Sequence, residues 1–152
     1  MTDLPLTLRR DFDGADLADK TGVSALLATV DAAERPHLAF LSVGEVLLAG
    51  DRLAITLWSK AQSLAALRAR GAGALFASAD GVVHELVLET DRIVDRDDAP
   101  FSIAIARLAG ARVHAAPYAT VDTLIGFTLK DRDATLARWA GQIAAMRAAL
   151  AG

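Results

Sequence analysis

The chain contains no cysteine. That excludes disulfides, thiolate zinc sites, iron–sulfur clusters and a cysteine nucleophile. Lysine is scarce, 3 residues against 13 arginines, and 19 acidic side chains outweigh the 16 basic ones to leave a net charge of -3. A nucleic-acid protein usually shows a basic domain or stripe, so neither DNA nor RNA is expected as a partner. No apolar run reaches the roughly 18 residues of a membrane-spanning helix. Residues 1–20 are polar and acidic and lack a signal-peptide core. With no membrane segment and no cysteine, a cytoplasmic location is the expectation. Aromatic residues make up only 5% of the chain, too few to fill a wide interior.

What is present is a globular composition, 53% hydrophobic over 152 residues. One domain spanning 1–152 is expected, with 1–20 as an N-terminal extension of unclear period. Short apolar runs bounded by turn residues read as strands at 23–30, at 37–43 (broken at Gly44 and resumed over 46–48) and at 52–58. In the last of these Leu53, Ile55 and Leu57 alternate with Ala54, Thr56 and Trp58. Further strands are expected at 74–79, 82–94 and 102–113, with Asp80-Gly81 as a hairpin turn, and a final one at 121–128. A short helix follows Trp58. Ser59-Lys-Ala-Gln62 has the form of a capping box, with Ser59 as N-cap and Gln62 at the third helical position. Gly71 suits its stop. Asp131 caps a last helix over 131–152, whose Leu136, Trp139, Ile143, Met146 and Leu150 form one apolar stripe. The fold class is therefore mainly β: a small antiparallel barrel with one short inserted helix and a C-terminal helix.

The start of the short helix is the most informative position for chemistry. A helix N-terminus offers unpaired N–H groups and the positive end of a dipole. The Lys60 ammonium and the Ser59 hydroxyl beside it would make a phosphate cradle. The same capping box also closes helices that bind nothing. The three histidines, His37, His84 and His114, follow no zinc spacing, and no metal site is expected. In a strand His84 and Glu85 point to opposite faces and cannot act as a dyad. No Gly-x-Ser-x-Gly elbow is present, and the acidic cluster Asp95 to Asp98 lacks a calcium-loop pattern.

Several short motifs, in order, resemble the flavin-binding split barrels, the family of pyridoxamine 5′-phosphate oxidase and its relatives. They are Ala28-Thr-Val-Asp31, Glu34-Arg-Pro-His37, Gly50-Asp-Arg-Leu53 and Ile55-Thr-Leu-Trp-Ser-Lys60, then Leu64 and Leu67, Ala74-Leu-Phe76 and the long strand to Val94. The tail Gly126-Phe127 with Ala137-Arg-Trp139 fits members that end in a helix. The resemblance implies a split β-barrel that binds FMN in a groove between two identical subunits. It implies that Thr56, Ser59 and Lys60, with Gln62, meet the phosphate. The flavin ring would lie along His37, Ala39, Phe40 and Leu41. Trp58, by its position beside the cradle, is read as stacking on the ring, with core or dimer interface as the alternative. The redox chemistry would belong to the flavin, so no catalytic side chain is assigned.

The chain departs from the oxidase at informative places. The oxidase's Arg and Lys after the Arg-Pro motif fall at Ala39 and Gly44, and its flavin-contacting Gln falls near Glu85. Arg68-Ala69 replaces its Asn-Pro. The oxidase's own substrate is therefore not implied. A carboxylate at Glu85 facing the phosphate would oppose binding. The leading expectation is an FMN-dependent oxidoreductase on a small molecule. The alternatives are a non-catalytic flavin or haem carrier, or sensor, of the same fold and a deazaflavin-dependent reductase. A homodimer is expected, because a small barrel fills its own lumen and leaves a flavin only an external groove.

Overall fold

A single seven-stranded antiparallel sheet, curled upon itself, carries the whole structure. The computed structural model describes residues 2–152. The strands are β1 (Ser24–Val30), β2 (Pro36–Ser42), β3 (Val46–Ala49), β4 (Arg52–Trp58), β5 (Ala72–Ala79), β6 (Val82–Val94) and β7 (Phe101–His114). Their spatial order is β2-β1-β5-β6-β7-β4-β3. The helices are α1 (Leu6–Asp11), α2 (Gln62–Arg70) and α3 (Arg132–Ala151), with a 3-10 turn at Leu17–Lys20. None of them is long and apolar enough to cross a membrane.

Local chemistry sets much of this. Asp80 and Gly81 both take positive φ, 53° and 81°, as a tight two-residue hairpin turn requires. That turn places Ala79 opposite Val82 and starts the β5–β6 ladder. The long β6 then bends at two register shifts, between Val87 and Leu88 and between Thr90 and Arg92. Such irregularities curl a sheet. Bending lets β7 pair with β6 along most of its length and with β4 at its start.

The core fills the curl, as expected for a small barrel. Leu53, Ile55 and Leu57 of β4 point inward with Leu27, Leu75 and Leu86. The N-terminal residues Leu4, Leu8 and Phe12 join that cluster. The other face of β4 is buried too. Ala54 meets Ile143 and Met146 of α3, together with Leu47, Ile103 and Ile105. Asp131 caps α3 through its side chain, which accepts from the Ala134 N–H. The apolar stripe read from the sequence is thus the face that α3 lays on the sheet.

Two expectations are corrected. Residues 121–128 do not form a strand. They cross the sheet by isolated contacts: the Val121 N–H donates to Gly81 O, and the Ser24 hydroxyl donates to Ile125 O at 3.1 Å. The physical reason is that β1, which carries Ser24, is already paired on both edges by β2 and β5. The second correction is the capping box. Helix α2 begins at Gln62, its N-cap position is Ala61, and no side chain caps it. Ser59 instead donates its backbone N–H to Pro100 O, and Ala61 donates to Trp58 O. This turn holds Ser59 to the end of β4 and delays the helix.

Candidate functional site

The two outermost strands, β2 and β3, are consecutive in sequence and joined by residues 43–45. The corner therefore sits where a closed barrel would have its seam. β4 runs back past β3 along this corner, and its Thr56 N–H donates to Glu45 O at 2.9 Å. Beyond that bond β2 and β4 separate. The gap between them is a cavity of about 140 Å³.

Ala39, Phe40 and Leu41 form one side of the gap, and Thr56 and Trp58 the other. These are residues that the sequence assigned to a ligand. The structure also brings Glu45, Ala61, Phe101 and Gln142 into the wall. Phe101 is the cross-strand partner of Trp58, so two aromatic rings stand at the mouth. Trp58 is 56% exposed. Ser59, Lys60 and Gln62 do not line the cavity; all are exposed at the turn and first helical position that follow Trp58. Among the described residues Lys60 has no hydrogen-bond or ion-pair partner. The first carbonyl bond into the helix is from the Ala65 N–H to Ala61 O. The N–H groups of Gln62, Ser63 and Leu64 are therefore the free donors of an uncapped helix end.

His37 is placed elsewhere. Its Nε2 lies 2.8 Å from Asp31 Oδ2 in the β1–β2 turn. That contact, with the Arg35 and Ala33 N–H groups, holds the Asp31 carboxyl below the usual range. Glu85 opens onto the outer face of the sheet, opposite in direction to the buried His84. Its carboxylate is engaged by Arg112 at 3.0 Å and His114 at 2.7 Å. It neither lines the gap nor stands as a bare charge.

Two polar residues of the wall were missed by the sequence reading. The Gln142 amide donates to Thr56 Oγ1 at 3.2 Å, while its Oε1 is buried without a partner. Burying such an atom costs about 1–3 kcal/mol. The available signal was a polar residue on the otherwise apolar stripe of α3. Glu45 is the other: a lone carboxylate between Val43-Gly44 and Val46-Leu47. Burial pushes its carboxyl above the ordinary glutamate range, against the Ser42 N–H and the Arg138 guanidinium, which pull it down.

Because Ser59 caps nothing, Ser59→Ala is expected to change the thermal stability of the ligand-free protein by less than about 0.5 kcal/mol. Thermal denaturation checks this. A loss near the ~1 kcal/mol typical of a removed cap would place the helix start at Ser59 after all.

No protein-family model matches the chain, and no curated protein matches it in sequence. Solved structures do match in shape. An F420 reductase superposes with a TM-score of 0.55 at 16% identity, over 72% of this chain and 98% of its own. An FMN-binding protein from Syntrophomonas wolfei gives 0.53 at 13% identity, over 72% and 90%. The haem-storage protein HutZ from Vibrio cholerae gives 0.50 at 13% identity, over 64% and 88%. The chain has the split-barrel fold of the pyridoxamine 5′-phosphate oxidase-like proteins.

Proposed function

We propose that this split barrel binds FMN in the gap between β2 and the β4–α2 corner, and that it uses the flavin for oxidoreduction of a small molecule. The observation that carries the reading is convergence. Ala39, Phe40, Leu41, Thr56 and Trp58, named from the sequence as flavin contacts, meet at one cavity, and the following turn presents an unpaired cation and a free helix end.

The residues present fit such a group. Lys60 and the N–H groups of Gln62, Ser63 and Leu64 would hold the phosphate by charge and directed donors. The buried Gln142 Oε1 offers an acceptor for an N–H on the ring edge. Trp58, Phe101 and Phe40 would supply apolar cover and keep water from the ring. Bound FMN supplies the transfer of electrons and hydride. The wall contains none of the histidine, cysteine, methionine or tyrosine side chains that bind haem iron, which favours a flavin over haem here.

A cavity of about 140 Å³ encloses only part of a flavin, since ligand sites of that class run to about 300–1,000 Å³. A second copy of the chain completes the enclosure. In support, Val30, Leu38 and Phe40 stand on one exposed apolar face of the β1–β2 pair, with Leu38 70% exposed. A patch of that kind marks an interface.

The test combines an absorption spectrum, an FMN titration and light scattering on the same preparation. The expected result is one flavin per chain in a particle of two chains. Failure to take up FMN overturns the flavin reading. Uptake of F420 in its place moves the cofactor to a deazaflavin. A mass of one chain, with and without flavin, overturns the shared groove.

A further inference from the structure

A second cavity, of about 150 Å³, lies beside the first and shares Phe40 and Glu45 with it as walls. One wall is apolar. Phe40 and Phe127 meet edge to face with ring centres 5.0 Å apart, and Leu129 stands next to them. The opposite wall is polar and comes from Ser42, Thr135, Arg138 and Trp139. Ser42 and Trp139 are 5% and 1% exposed, and Ser42 Oγ and Trp139 Nε1 have no hydrogen-bond partner. The Ser42 hydroxyl is near enough to the Glu45 carboxyl to favour its ionised form, yet makes no bond of acceptable geometry. Two unpaired buried groups in one small wall are unusual, because native structures pair nearly all such atoms.

The chemistry of that wall is one-sided. An indole N–H and a guanidinium only donate, and hydroxyls donate readily. Glu45 is the one acceptor in the wall, and its carboxyl is already engaged by the Ser42 N–H at 3.4 Å and by Arg138 at 3.9 Å. A cavity of this volume accepts one benzene ring.

We infer that this cavity is a subsite for a small compound with a flat apolar body about one ring in size and a carboxylate that accepts from Trp139, Ser42 and Arg138. The ring would lie against Phe40, Phe127 and Leu129. Its place as the substrate's site rests on the flavin reading above: if the gap holds FMN, the shared Phe40–Glu45 wall sets this compound beside the cofactor.

Benzoate is the probe. Trp58 and Trp139 are the only tryptophans, so Trp58→Phe leaves Trp139 as the sole indole reporter. Benzoate is expected to change its fluorescence saturably at millimolar concentrations, while acetate and benzyl alcohol, each lacking one half of the pattern, bind at least tenfold more weakly. Arg138→Gln, at a half-exposed position, is expected to weaken benzoate about tenfold. Ser42→Ala is expected to weaken it too, and to raise the thermal midpoint without benzoate by removing the unpaired hydroxyl. A flat benzoate titration, or one equal in all three proteins, overturns the subsite and leaves the unpaired groups to ordered water. FMN titration of the wild-type protein, which keeps Trp58, separates the two readings. FMN uptake without a benzoate response removes only the subsite, whereas benzoate binding without FMN uptake keeps the subsite and removes its role beside a flavin.

Discussion

Gly44→Ala is expected to destabilise the fold by at least about 3 kcal/mol. A methyl group at Gly44 would lie 1.9 Å from Trp139 Cγ, 2.2 Å from Cδ1 and 2.4 Å from Cβ. Rotation about the side chain would move Cγ and Cδ1 but not Cβ, which stays 2.4 Å from the new methyl, so no rotamer relieves the clash. Either the whole of α3 must move off the sheet or the β2–β3 corner must open. Both routes expose the buried Trp139, Ile143 and Met146. For a chain of this size the loss corresponds to a fall of roughly 6–12 °C in the thermal midpoint. Trp139→Ala alone is expected to cost about 3–5 kcal/mol by leaving a void. The double variant should then cost clearly less than the sum, because the clash and the void cancel. Urea denaturation of the four proteins measures the cycle. Additive costs would show that the two residues do not touch in solution.

Lys60→Ala is expected to weaken FMN by about tenfold to a hundredfold, the equivalent of roughly 1.5–3 kcal/mol for one charge-assisted contact. The ligand-free protein should keep its thermal midpoint, because the exposed Lys60 side chain has no partner among the described residues. Lys60→Arg retains the cation and should recover part of the affinity. Added salt should weaken the wild-type complex and leave the Ala variant less affected, since an exposed ion contact is screened. Titration by flavin fluorescence quenching gives all three affinities. Equal affinity in wild type and Lys60→Ala would remove Lys60 from the site and leave the α2 N-terminus as the sole anion contact.

Local rules carried the reading where neighbours in sequence decide the outcome. The alternation of β4, the Asp80-Gly81 hairpin, the opposed faces of His84 and Glu85 and the stripe of α3 follow from side-chain period and turn chemistry alone. The same local rules misjudged Ser59-x-x-Gln62. There a backbone hydrogen bond from Ser59 to Pro100, the residue just before β7, outcompeted the cap. They misjudged 121–128 as well, because an apolar segment becomes a strand only beside a free edge.

The sequence by itself determined the mainly β class, the strands other than β3, and the two larger helices. Each of these rests on spacing along one stretch of chain. The tertiary structure alone decided the strand order, the gap at the β2–β3 corner and the residues that complete its wall. Gln142 reaches Thr56 across 86 positions, and Phe101 reaches Trp58 through the β4–β7 ladder. Such meetings depend on how β6 bends and which edges remain unpaired. Those are properties of the closed core, in which every strand competes for partners, and no single segment encodes them.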